Sequence, residues 1–105
     1  MGDDLHATCD EARTHAEQIA AAPFASTAAE HRAALVLAVE RHLGIAEHLS
    51  STAAKRALLH DHRRLAQLLR ALELALDASD PRAAAAARRL GQFIADHAAR
   101  ERTHF

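Results

Sequence analysis

Hydrophobic residues recur along the chain at steps of three and four, which is the spacing of one face of an α-helix. The clearest run alternates these steps through Leu58, His62, Leu65, Leu69, Leu72 and Leu76. Such alternation is typical of a helix that buries one narrow face against other helices. The pattern therefore predicts a long helix in this part of the chain, with one histidine on its apolar side.

Helix breakers divide the sequence into four segments of this kind. Pro23 ends the first, which runs from about residue 3 to residue 22, because proline cannot continue a helix without losing a hydrogen bond. Thr27, with a glutamate three residues later, matches a capping box that opens the second. The polar stretches 50–52 and 78–81 separate the others. Because short loops join neighbouring segments, the sequence predicts an all-α protein, an up-down-up-down antiparallel four-helix bundle in a single domain of residues 1–105.

Composition limits the classes of partner. A formal net charge of -1 gives no sign of the basic surface that binding to nucleic acid requires. No apolar run approaches the roughly 20 residues that span a bilayer, so we expect no membrane partner. The acidic N-terminal stretch lacks a signal-peptide core, and the single Cys9 has no partner for an internal disulfide. These features predict a cytoplasmic protein.

Histidine is unusually frequent, with nine in 105 residues. Each of the four predicted helices carries a histidine on its apolar face. These are His15, His42, His62 and His97, and Glu101 follows His97 by one turn. A single histidine on such a face is usually a hydrogen-bonded core residue. Burying several imidazoles and a carboxylate together is costly unless they satisfy one another or bind a cation. Because neutral imidazole and carboxylate are metal ligands, the pattern favours a metal site.

Heights along the bundle support this interpretation. A helix rises about 1.5 Å per residue, and counting from the loops places His42, His62 and His97 within roughly 3 Å of one level. Glu101 neighbours His97 on the same helix face. Glu47, five residues after His42, is the carboxylate of the second helix that we expect to join this layer. The sequence thus predicts that these five side chains converge.

His15 does not fit that level, since the count leaves a mismatch of about 12 Å with His42. Cys9 and Asp10 lie at a better height for a ligand from the first helix. His31 lies nearer the height of His15, so these two histidines can instead pair with each other. Which residue of the first helix completes the site stays open at this point.

Two segments resemble the second half of the hemerythrin-like, or HHE cation-binding, domain family. LLHDHRRLAQLLRALELALDASDP carries a histidine in an HRRL context, and LGQFIADHAARERTHF carries H-x-x-x-E near the end of the next helix. RHLGIAEHL and THAEQI resemble a degenerate copy of the family's first half. The resemblance implies a four-helix bundle that holds a non-haem di-iron centre and that binds O2 or nitric oxide, senses them, or handles iron. Carried over residue by residue, the implied metal ligands are His15, His42, Glu47, His62, His97 and Glu101. Ala46 stands where the family pattern has glutamate, so the second bridging carboxylate is either Glu47 or absent.

Two other classes of function stay open. A bundle with an incomplete set of ligands can act as a protein-interaction or dimerisation module, with a homodimer as the expected form. A phosphotransfer bundle would need an exposed histidine beside basic residues, which His60 offers next to Arg63 and Arg64. No Gly-rich phosphate loop and no distinctive Ser, His and acid spacing points to another catalytic class.

Overall fold

The computed structural model describes the backbone of residues 2–49 and 52–104, and the side chains of residues 6–45, 56 and 59–102. It contains four α-helices: α1 (Gly2–Ala21), α2 (Ala28–Leu49), α3 (Thr52–Asp77) and α4 (Ala83–His104). No strand occurs in this described backbone. The prediction of an all-α protein with four helices is confirmed.

The turn between α3 and α4 follows the rules for helix ends. Ser79 adopts a left-handed conformation with φ of 51°. The Asp80 amide donates to the Ala75 carbonyl at 2.9 Å, and the Ser79 amide donates to the Leu76 carbonyl at 3.1 Å. These two bonds form a Schellman motif, which satisfies carbonyls that the helix leaves unpaired. The Asp80 carboxylate then accepts the backbone amide of Arg82 at 2.9 Å, just before α4 begins.

Helix α1 packs against both α2 and α4, and α3 packs against α4 and, less extensively, against α2. Small residues line the contact of α1 with α4: Ala16 and Ala87 are fully buried, and Gly91 lies opposite Ala16. Such residues let two helix backbones approach closely, because no long side chain separates them. The molecule is elongated, with extents of 40 × 21 × 18 Å.

On three helices the core consists of apolar residues at helical spacing. Leu35 and Val39 of α2, the α3 leucines at 65, 69 and 72, and Leu90 and Ile94 of α4 are all buried. In α1, however, the buried line runs through Cys9, Ala12, Ala16 and Ile19. These positions are spaced three, four and three residues apart, so His15 lies beside the line and is only half-buried.

The outer faces of the helices are polar. Arg32 of α2 donates to Asp77 of α3 at 2.7 Å and lies 3.5 Å from Glu73. Such partly exposed ion pairs contribute only about 0–1 kcal/mol each, so the buried faces hold the fold together. No helix in the described part of the chain is both long enough and apolar enough to cross a membrane.

Candidate metal centre

Four donors, three of them buried and one half-buried, converge where α2, α3 and α4 meet. His42 of α2, His62 of α3, and His97 and Glu101 of α4 each offer one ligand atom, and these atoms all lie within 4.8 Å of one another. His42 and His97 are 1% exposed and Glu101 is 2% exposed, whereas His62 is half-buried. The structure therefore brings together four of the six residues that the sequence points to as metal ligands.

The distances within this cluster suit a shared cation. One carboxylate oxygen of Glu101, Oε2, lies 3.0 Å from His42 Nε2, 3.3 Å from His62 Nε2 and 2.9 Å from His97 Nε2. His42 Nε2 and His97 Nε2 are 3.2 Å apart. Two donors bound to one ion at about 2.1 Å lie about 3.0 Å apart at a right angle and about 3.4 Å apart at the tetrahedral angle. The cluster can therefore hold a metal ion.

Asp61 of α3 fixes the orientation of the His97 ring. Its Oδ2 atom lies 3.0 Å from His97 Nδ1 and accepts a hydrogen bond of 2.6 Å from the Arg100 guanidinium. Burial alone would raise the pKa of Asp61, but the hydrogen bonds from Arg100 and His97 outweigh it and lower that pKa. The ionised carboxylate thus holds a proton on Nδ1, which directs the lone pair of Nε2 toward the cluster.

Sequence reasoning missed Asp61. The only signal was its place directly before His62, one position off the buried face of α3. Whether a residue at that angle reaches a neighbouring helix depends on how both helices are rotated about their axes. Hydrophobic periodicity gives the rotation of only one helix at a time.

Hydrogen-bond capacity also points to a cation among these donors. With its proton on Nδ1, a neutral His97 presents a lone pair to the Glu101 carboxylate at 2.9 Å, so two acceptors face each other. A proton or a metal ion between them resolves this conflict. Burial lowers the pKa of His97, but the hydrogen bonds to Glu101 and Asp61 outweigh burial and raise that pKa.

Glu101 is the fixed negative charge of the cluster. Burial by itself raises its pKa, but hydrogen bonds from His42, His62 and His97 outweigh this and hold the pKa well below its usual range. The carboxylate is therefore ionised at neutral pH while almost fully removed from water. A buried anion surrounded by imidazole nitrogens attracts a cation and offers it ligands.

Helix α1 closes the remaining side of the cluster with Thr8 and Cys9. The Thr8 hydroxyl lies 3.0 Å from His42 Nδ1. The Cys9 sulfur lies 3.5 Å from His42 Nδ1 and 3.9 Å from His42 Nε2, and its thiol donates to Glu101 Oε1 at 3.6 Å. Burial and the charge of Glu101 raise the pKa of the Cys9 thiol to about 12. Asp10, the other candidate at this height, is exposed.

The structure does not bring His15 into the cluster. Its Nδ1 atom lies 3.0 Å from His31 Nδ1, so the pairing of these two histidines that the heights allowed is confirmed. His15 follows Thr8 by seven residues, which separates them by about 10 Å along the helix axis. Glu47 was also predicted as a ligand, but its side chain lies outside the described residues. His60 is exposed, as expected for a residue off the buried face.

Comparison of the chain with protein-family models, curated proteins and solved structures gives no match. The hemerythrin-like resemblance therefore stays a prediction based on short motifs. The feature of the described structure that bears on function is the cluster of His42, His62, His97 and Glu101, which could hold a metal ion.

Proposed function

We propose that this protein is a non-haem iron protein of the hemerythrin-like kind, which binds O2 or nitric oxide at iron held by His42, His62, His97 and Glu101. The observation that carries the proposal is the convergence of these four donors at separations suited to one ion, in a place where burial would otherwise be costly. Imidazole nitrogen together with carboxylate oxygen is a ligand combination that iron accepts.

The proposal includes a bundle whose helices alternate in direction, up-down-up-down. In that arrangement the start of each helix lies beside the end of the next, and the polar residues of three helices share one level. The supporting contacts are Thr8 with His42, Arg32 with Asp77, and Asp61 with His97.

The residues around the cluster have separate roles in this proposal. Bound iron supplies an electron-rich centre that accepts a diatomic ligand. Glu101 offsets the cation charge, and Asp61 keeps the His97 ring turned so that Nε2 faces the ion. With four protein donors, bound iron would still be able to take a small molecule as a further ligand.

The number of iron ions depends on donors beyond the four. The described cluster suffices for one ion, whereas the di-iron centre that the resemblance implies requires a second set of ligands. Glu47 is the predicted contributor to that set. Iron content therefore separates the two forms of the proposal.

The test is anaerobic loading with ferrous iron, followed by measurement of iron per chain and of the visible spectrum after exposure to O2 or nitric oxide. We expect one iron per chain if the four donors act alone and two if Glu47 completes a di-iron centre, with a new charge-transfer band on exposure. His97→Leu should remove iron binding while leaving the helical spectrum intact, and His15→Leu is the matched control that should bind iron normally. Iron content unchanged in His97→Leu, or absent from the wild-type protein, would contradict the proposal.

A second function, protein interaction or dimerisation, is favoured by an apolar groove beside α2. The groove has a volume of about 590 Å³ and is lined in part by Phe24, Val36 and Leu37. Phe24 is 51% exposed and Leu37 is 47% exposed, which is unusual for large apolar side chains close together. If the groove joins two chains, sedimentation should give a dimer that Leu37→Glu converts to a monomer whether or not metal is bound.

A further inference from the structure

We infer that Thr8 of α1 positions His42 as a metal ligand: the Thr8 hydroxyl accepts a hydrogen bond from Nδ1 of the ring and so leaves the Nε2 lone pair for the ion. This inference rests on the proposed metal binding and deepens it, because it assigns the contribution of the first helix, which supplies none of the four clustered donors. The observation behind it is the distance of 3.0 Å between Thr8 Oγ1 and His42 Nδ1.

The two nitrogens of the His42 ring face different partners. Nε2 lies 3.2 Å from His97 Nε2 and 3.0 Å from Glu101 Oε2, whereas Nδ1 faces Thr8. A neutral imidazole carries its proton on one nitrogen and a lone pair on the other, and a metal ion takes the lone pair. An ion bound at Nε2 therefore requires the ring proton on Nδ1, where a buried N–H without an acceptor would be costly. Thr8 Oγ1 is placed to be that acceptor.

Burial makes this hydrogen bond hard to replace. His42 is 1% exposed and Thr8 is 6% exposed, so solvent has little access to Nδ1. The Cys9 sulfur lies 3.5 Å from the same nitrogen, but sulfur is a weak acceptor and the Cys9 thiol donates to Glu101 Oε1. The Thr8 oxygen is the stronger acceptor at the shorter distance, and its two lone pairs let it accept from Nδ1 whichever group its own proton faces.

A hydroxyl suits the metal-free form of the ring as well. In the metal-free protein a proton on His42 Nε2 can donate to Glu101 Oε2, and the Thr8 hydroxyl can then donate to Nδ1. When an ion occupies the Nε2 lone pair, the same oxygen accepts from Nδ1 instead. The Asp61 carboxylate beside His97 can only accept, and it adds a negative charge. Thr8 adds no charge, so we expect it to contribute less to metal affinity than Asp61 does.

The test measures the affinity of the full chain for Zn²⁺ by competition with a chromophoric chelator. Zn²⁺ accepts imidazole and carboxylate ligands. Thr8→Val keeps the shape of the side chain and removes the hydroxyl, and we expect it to weaken binding about 10-fold, the lower end of the range for a partner that orients a ligand. Thr8→Ser restores the hydroxyl and should bind nearly as the wild-type protein does. Thr14→Val is the matched control, since Thr14 is an exposed residue of α1 whose hydroxyl donates to the Asp10 carbonyl.

NMR of the histidine rings separates orientation of the ring from a merely structural effect of the substitution. In the Zn²⁺-loaded wild-type protein we expect His42 to be protonated at Nδ1, and we expect that proton to exchange slowly with water because the Thr8 oxygen holds it. The proton should exchange faster in Thr8→Val, and Thr8→Ser should restore slow exchange. A purely structural role of Thr8 would change the unfolding of the metal-free protein in urea and leave the proton exchange as it is.

The outcomes separate this inference from the proposed function. Equal Zn²⁺ affinities of Thr8→Val and Thr14→Val would overturn the inference and leave the proposed function standing. No Zn²⁺ binding by the wild-type protein would also overturn the inference, and iron loading of the same protein decides the proposed function separately. If Thr8→Val does not fold, NMR of the Zn²⁺-loaded wild-type protein decides the matter. A slowly exchanging proton on His42 Nδ1 supports the inference, and a ring proton on Nε2 refutes it.

Discussion

Replacing Asp61 with asparagine tests how much the orientation of one imidazole contributes to metal binding. Asparagine has nearly the same shape and can still accept the Nδ1–H bond of His97, but it carries no charge. In the structure Asp61 Oδ2 lies 3.0 Å from His97 Nδ1 and 2.6 Å from the Arg100 Nε atom that donates to it. The substitution therefore removes the negative charge that makes His97 a stronger ligand. It also weakens the interaction of residue 61 with the Arg100 guanidinium.

The expected effect is large on metal affinity and small on folding. Loss of a partner that orients a ligand typically weakens metal binding 10- to 100-fold, which is about 1.4–2.8 kcal/mol. The ion pair with Arg100 contributes only about 0–1 kcal/mol to folding, because the Arg100 side chain is 47% exposed and solvent screens it. Metal affinity and stability should thus respond very differently to one substitution.

The assay is competition for Co²⁺ or Fe²⁺ with a chromophoric chelator, run beside urea unfolding of the metal-free protein. Asp96→Asn is the matched control, since Asp96 directly precedes His97, is exposed and accepts a hydrogen bond from the Gln92 side-chain amide on the outer face of α4. We expect the control to bind metal as the wild-type protein does. Equal affinities of Asp61→Asn and Asp96→Asn would refute the role of Asp61.

Three further predictions concern the metal-free fold. Leu35→Ala should lower the free energy of unfolding, measured in urea, by about 2–5 kcal/mol, because Leu35 is fully buried. Leu37 is exposed, so Leu37→Ala should change that free energy by at most about 0.5 kcal/mol. Similar losses in the two variants would contradict the described core. Ser79→Gly should raise the free energy of unfolding by about 1 kcal/mol, since glycine adopts the left-handed conformation without strain; a loss in the same urea assay would contradict that geometry. The raised pKa of His97 stabilises the metal-free fold fully below its ordinary pKa of about 6.5, and this stabilisation is lost as pH rises through the folded-state pKa. Melting temperature should therefore fall more between about pH 6 and about pH 8 in the wild-type protein than in His97→Leu, and equal falls would contradict the prediction.

The candidate site shows where sequence reasoning succeeds. Leu90, Ile94, His97 and Glu101 follow one another along α4 at steps of four, three and four residues, the spacing of one helix face, and all four are at most 2% exposed. Hydrophobic periodicity is a property of one helix, so the buried face can be found without knowing the neighbours. The convergence of His42 with His97 followed from a second local quantity, the fixed rise per residue counted from short loops.

The same reasoning fails where rotation between helices decides the contact. His15 matched the spacing of an apolar face on α1, but the actual buried line passes through Ala12 and Ala16 and leaves His15 at the edge beside His31. An alanine-rich helix gives a weak apolar contrast, because alanine occurs on buried and exposed faces alike. Two neighbouring lines were therefore equally compatible with the sequence of α1.

Local patterns in the sequence were enough to predict that four helices form, where three of them end, and which faces of α2, α3 and α4 are buried. Those features depend on backbone geometry and on interactions within a few residues, which each helix carries with it. The contact of Asp61 with the His97 ring and that of Cys9 with Glu101 could be found only from the packed helices. These contacts join side chains on different helices, and they depend on axial offset and rotation to within about an ångström, which close packing of the whole core sets.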